Sequence, residues 1–107
     1  MKVIIYRDEF GFSQFEEWLR NLDVRTRTRI FNRIDRVEAG NLGDFKYLEQ
    51  GIYELRFFFG SGFRIYFAKE KDQVVVLLTG GDKATQAKDI KKAVKFYKEF
   101  LRNKNEI

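Results

Sequence analysis

The 107-residue sequence contains no cysteine and no histidine. Without cysteine there is no disulfide framework, no thiol nucleophile and no thiolate metal site. Without histidine the commonest general base and the commonest transition-metal ligand are both missing. Acid–base chemistry must come from carboxylates, lysines, tyrosines, arginines or a group on a partner, and no cofactor is expected. Proline is absent as well, as are repeats, low-complexity segments and linkers, so residues 1–107 read as a single domain. No apolar run is long enough to span a bilayer, and the one in MKVIIYRDEF is too short for a signal peptide. The expectation is a soluble, cytoplasmic protein that does not engage a membrane.

What is present is aromatic and basic. Twelve Phe, five Tyr and one Trp supply much of a modest core within a chain that is 44% hydrophobic. Lys plus Arg number 21 against 16 Asp plus Glu, a net charge of +5. This balance favours a polyanion such as nucleic acid, or an acidic protein, as partner.

The β-branched run Lys2–Tyr6 reads as a strand. Asp8 or Ser13 is placed to cap a helix in which Phe12, Phe15, Trp18, Leu19 and Leu22 recur at helical spacing. After a tight turn at Asn21–Asp23, a second helix is expected over Val24–Ala39, with Ile30, Ile34 and Val37 as its apolar stripe and Gly40 as its terminator. Arg25, Arg29, Arg33 and Arg36 share another face of that helix. They read either as a solvated face paired with Asp35 and Glu38 or as a surface for an anion. Gly43–Leu48 is a weaker strand candidate. Strands are expected over Ile52–Phe59, Phe63–Lys69 and Gln73–Thr79, with a charged hairpin turn at Lys69–Asp72. A last helix over Thr85–Arg102 buries Ile90, Ala93, Val94, Tyr97 and Leu101 and carries lysines, Lys88 among them, on its other face. Asn103–Ile107 is expected to fray. The order β-α-α-β-β-β-β-α is α+β, a mainly antiparallel sheet with an N-terminal two-helix hairpin and a C-terminal helix.

Side chains alternate faces along a strand. Pairing Leu55 with Ile65 and Phe57 with Phe63 places the strongly apolar residues on one face. The same register opposes Arg56 to Arg64 and Glu54 to Tyr66 on the other face, and leaves Phe59-Gly60-Ser61 as the loop. Directly opposed arginines repel. Two arrangements relieve this: an anion between them, for which guanidinium forks suit phosphate, or neutralisation by Glu54 or a helix carboxylate. Gly80-Gly81-Asp82-Lys83 lacks the full spacing of a phosphate loop. It reads as a strand-to-helix turn, with Asp82 near a helix N-terminus and Lys83 leaving the sheet near the arginine face.

The segments YELRFFFGSGFRIYF and VVVLLTGGDKATQAKDIKKAVKFYKEF resemble the RelE/ParE superfamily of toxins from toxin–antitoxin systems. Within it they are most similar to the HigB-like, phage-derived Gp49-like addiction-module killer group. LLTGGDKATQAKDIKKA is the most specific stretch, and the likeness spans nearly the whole chain. The resemblance implies a RelE-like fold, a twisted antiparallel sheet with two N-terminal helices and a C-terminal helix. It also implies a ribosome-dependent mRNA endoribonuclease held inactive by a cognate antitoxin, which in the HigB-like group is a HigA-like helix-turn-helix protein. By position, Arg64 falls on the arginine that contacts the scissile phosphate, Arg56 on a basic strand position of the RelE site, and Lys83 near the basic residue after the last strand. Glu54 stands where RelE has a lysine, and Gln86 and Asp89 stand where relatives carry an aromatic residue or a histidine. Glu54 is then the candidate base, and Tyr66 a candidate stacking or proton-donating group. Arg25, Arg29, Arg33, Arg36 and Lys88 would hold RNA backbone. A ParE-like gyrase inhibitor that works without hydrolysis, and a non-toxic basic RNA-binding relative, are the alternatives.

Overall fold

The centre of the protein is an antiparallel run of three strands, β3 (Ile52–Arg56), β4 (Arg64–Glu70) and β5 (Val74–Gly81). A computed structural model describes residues 1–105; of the expected frayed end, residues 106 and 107 lie outside the described residues, whereas 103–105 continue the last helix. Two further strands flank the run: β1 (Lys2–Ile5), parallel to β5, and β2 (Phe45–Glu49), antiparallel to β3. The five-stranded order is β1-β5-β4-β3-β2. Helices α1 (Gln14–Arg20) and α2 (Val24–Glu38) precede β2, and α3 (Gln86–Asn105) follows β5 through a 3₁₀ turn, Lys83–Thr85. This is the expected α+β order.

The predicted β3–β4 register is observed residue for residue, with Leu55 opposite Ile65, Glu54 opposite Tyr66 and Arg56 opposite Arg64. It places Leu55, Phe57, Ile65 and Phe67 against Phe15, Leu19, Ile30 and Val37 of the helical hairpin. The reverse face is also covered. Ile52, Tyr66, Ala68, Val76 and Leu78 pack under Ala93, Ile90 and Tyr97 of α3. The sheet is therefore the middle of three layers, and its arginine face opens only where α3 does not reach.

Side-chain caps set the helix starts. Ser13 Oγ accepts from the Glu16 N–H at 3.0 Å, and an Asp23 carboxylate oxygen accepts from the Thr26 N–H at 2.8 Å. The alternative cap, Asp8, instead organises a turn, accepting from the N–H groups of Phe10 and Phe12. Helix α2 ends as expected at Gly40, at φ +94°, with Gly40 N–H donating to Val37 O and Asn41 N–H to Arg36 O.

Two details depart from the sequence-based expectation. The β3–β4 ladder stops at Arg56 and Arg64, one further bond joins Phe57 N–H to Phe63 O, and the loop runs over Phe58–Gly62 instead of Phe59–Ser61. Gly60 and Gly62 both take positive φ there, which relieves a tight return. The second is a register shift between β4 and β5: Tyr66 opposes Thr79, but Phe67 opposes Leu77. The extra residue inverts the alternation at the end of β5. Gly80 now faces α1, where an added Cβ would lie 2.3 Å from the Trp18 ring. Gly81 faces α3, where it would lie 1.9 Å from a carboxylate oxygen of Asp89. The two glycines continue β5 to its end and let a tryptophan and an aspartate close on it from opposite sides.

Candidate functional site

Arg56 and Arg64 are neighbours on one face, as the register requires, yet each is met by a carboxylate. Arg64 Nε donates to Glu54 Oε1 at 3.1 Å, and its Nη1 donates to the carbonyl of Gly62 at 2.6 Å. Arg56 makes a two-point contact with Asp44, at 2.9 and 3.1 Å. Of the two arrangements that relieve the repulsion, neutralisation within the chain is the one present: Glu54 meets Arg64 as that alternative requires, but Arg56 is met by Asp44, ahead of β2, instead of a helix carboxylate. The pairs differ in depth. Side-chain exposure is 16% for Arg64 and 3% for Glu54, against 36% for Arg56 and 33% for Asp44.

Glu54 is more enclosed than a solvent-facing base. Its second oxygen accepts from Gln86 Nε2 at 3.0 Å, so both oxygens are occupied inside the protein. Tyr66 is wholly buried beneath α3, which removes it from stacking on a base. Among the described residues its hydroxyl is the buried side-chain polar atom without a partner. Burial first, then the charges of Glu54 and Asp89, hold its pKa well above the ordinary tyrosine value, so it stays protonated.

Lys83 is exposed and lies beside Arg64. Gly62 joins them: an added Cβ there would sit 3.2 Å from Arg64 Nη1 and 3.5 Å from Lys83 Cβ. Asp82 caps the turn that begins at Lys83, its side chain accepting from the N–H groups of Ala84 and Thr85. Asp82 therefore has a structural task, as expected, and Lys83 has no ion pair among the described residues.

The arginines of α2 divide. Arg33 is half-buried and donates to the carbonyls of Leu42, Asp44 and Arg56, tying α2 to the segment that leads into β2 and to the end of β3. Its guanidinium is spent on the fold, which departs from an open four-arginine face. Arg29 stacks over the Phe59 ring, 4.6 Å from the centroid, and Arg36 is exposed. Both line a groove of about 300 Å3 with Asn32, Phe58 and the end of β3, and no carboxylate lines it. Arg25 is exposed at the first turn of α2, outside this groove. Lys88 belongs to a separate depression between α1 and α3 that Asp82 and Asp89 also line. Among the described residues, no cluster of three or more acidic side chains could hold a metal ion, and no helix is long and apolar enough to cross a membrane.

Asp44 and Phe58 were missed as site residues by sequence reasoning. Asp44 precedes the weakest strand, and nothing local ties it to Arg56. Phe58 had a visible signal, an apolar residue on the arginine face, and it is 84% exposed.

Residues 17–101 match the family described as phage-derived protein Gp49-like. A protein of Haemophilus influenzae described as uncharacterized is 46% identical over 80 residues, covering 74% of this chain and 81% of its own. The chain belongs to the Gp49-like family, a family of RelE-like and addiction-module killer-like proteins.

Proposed function

We propose that this family member is the toxin of a toxin–antitoxin pair and an endoribonuclease that cuts mRNA on the ribosome in the cytoplasm. The observation that carries this reading is the approach of Arg64 and Lys83 around Gly62. Bonds to Glu54 and Gly62 hold Arg64 in place through Nε and Nη1, which leaves Nη2 for a phosphate oxygen. Gly62 lets a ligand come close to the backbone.

In the reaction the ribose 2′-oxygen attacks the adjacent phosphorus while the bond to the 5′-oxygen breaks. The 2′-hydroxyl proton passes to water, and the Lys83 ammonium donates a proton to the departing 5′-oxygen. Arg64 offsets the charge that grows on the phosphate oxygens. The nucleophile belongs to the substrate, so the step calls for no metal. Arg56 joins in only when phosphate displaces Asp44, which the half-exposed position of the pair permits. The inhibitory partner is a helix-turn-helix antitoxin of the HigA type.

One observation favours a second reading, a ParE-like gyrase inhibitor that binds without hydrolysis: Glu54 and Tyr66 are both buried. Mapping mRNA 5′ ends in growing cells that express wild type, Arg64→Ala or Lys83→Ala separates the two. Codon-phased cuts that fall about a hundredfold in the Arg64→Ala variant are expected, the usual scale for losing one anion-stabilising donor. Growth arrest with DNA damage and intact mRNA would replace the first reading with the second.

A further inference from the structure

The groove between α2 and the end of β3 does not include Arg64 or Lys83, and its composition is specific. Arg29, Asn32 and Arg36 lie along one stripe of α2, and Phe58 projects beside them from the β3–β4 loop. The groove holds about 300 Å3, at the low end of the roughly 300–1,000 Å3 usual for ligand sites. Two of its four arginines are unopposed: Arg33 is consumed by main-chain carbonyls and Arg56 is paired with Asp44, but no acidic side chain lines the groove, and neither Arg29 nor Arg36 has an ion pair among the described residues. Arg29 is held over the Phe59 ring, so its fork is oriented before any ligand arrives. Phe58 is 84% exposed, which has a solvation cost and fills no core.

We propose that this groove is a nucleotide-binding subsite for single-stranded RNA, adjoining the Arg64–Lys83 cleavage site at Arg56, which lines its edge. A base stacks on Phe58, a flanking phosphate sits between Arg29 and Arg36, and the Asn32 amide meets the edge of the base. An aromatic platform beside a basic track is how proteins grip unpaired strands, because every base has a face to stack while the phosphates supply charge. Duplex RNA hides the faces this site uses. An acidic peptide would satisfy the arginines but leave Phe58 without a role. The inference rests on the proposal that RNA is the substrate and adds where the strand is held beyond the cut.

The test uses an eight-nucleotide 2′-O-methyl RNA, which has no 2′-hydroxyl to attack, and fluorescence anisotropy on the full-length protein. Phe58→Ala is expected to weaken binding about tenfold, the scale of one lost stack, and Phe58→Trp to restore it. Arg29→Ala with Arg36→Ala should lower the slope of log affinity against log salt by about 2. Equal affinity of wild type and Phe58→Ala overturns the subsite, provided circular dichroism and melting temperature are unchanged as expected for an exposed side chain. A polyglutamate peptide that binds as tightly as the RNA, with no need of Phe58, also overturns it. Mapping mRNA ends in cells separates this failure from that of the function. Cuts by wild type without Phe58-dependent binding sink the subsite alone, and Phe58-dependent binding without cuts sinks the endonuclease alone.

Discussion

Two clusters of arginine in this protein have opposite surroundings. On the β3–β4 face, Arg64 is fixed by Glu54 and the Gly62 carbonyl, with Gln86 completing the carboxylate and Tyr66 buried alongside. In the α2 groove, Arg29 lies over the Phe59 ring and Arg36 is exposed, with no carboxylate lining the space. The same side chain is a structural strut in one place and an unmet charge in the other. The difference is whether an acceptor is already in reach. Buried ion pairs are weak stabilisers but costly to break, whereas open arginines contribute little to folding and wait for an anion.

The comparison breaks most readily at Glu54. Glu54→Ala leaves Arg64 enclosed without its counter-charge and should cost about 3 kcal/mol, read as a lower urea midpoint. If the midpoint does not move, the network is not the strut described here.

Next is Arg33, which shares its helix with the groove arginines but has the fate of Arg64. Arg33→Ala strips a charged donor from three carbonyls and should cost about 2 kcal/mol. Arg36→Ala should leave the urea midpoint where it is and weaken RNA binding instead. Equal effects of the two on stability would erase the division within α2.

Tyr66→Phe removes the unpartnered hydroxyl and should be neutral or stabilising by up to about 1 kcal/mol, with toxicity retained. Its pH dependence has a definite sign. Tyrosine is protonated in both states below pH ~10. Above that only the unfolded chain ionises freely, since burial raises the folded pKa, so wild-type stability falls as pH climbs past 10. The Phe variant should show a shallower fall in alkaline urea titrations, and an identical fall would place the hydroxyl in contact with solvent.

The smallest effect is expected from Asp44→Asn, which frees the half-exposed Arg56. Anisotropy should record a gain in RNA affinity of two- to threefold, on the order of the lower end measured for exposed pairs. A loss of affinity would mean that Asp44 orients Arg56 for its ligand.

Much of the frame was legible in the residues. The opposed Arg56 and Arg64 followed from alternation and a short loop together: gathering Leu55, Phe57, Phe63 and Ile65 on one face fixes the parity of the pairing, and the tight return around Gly60 fixes the register. The end of α2 followed from Gly40, and the role of Asp82 from its place before a helix. The site was legible only in part. Asp44 and Arg56 are twelve residues apart in sequence, and no periodicity links them. The register shift before Thr79 cannot be read from VVVLLTGG, yet it decides which glycine meets Trp18 and which meets Asp89.

The sequence by itself determined which side chains share a face, because a strand repeats every two residues and a helix every 3.6. The tertiary structure decided what covers each face. Only the docking of α3 buries Tyr66 and brings Gln86 to Glu54, and only the packing of α2 on the end of β3 and the segment that leads into β2 spends Arg33 while leaving Arg29 and Arg36 open. Periodicity is a property of the local backbone, whereas pairing and exposure depend on atoms that the chain brings together from far apart.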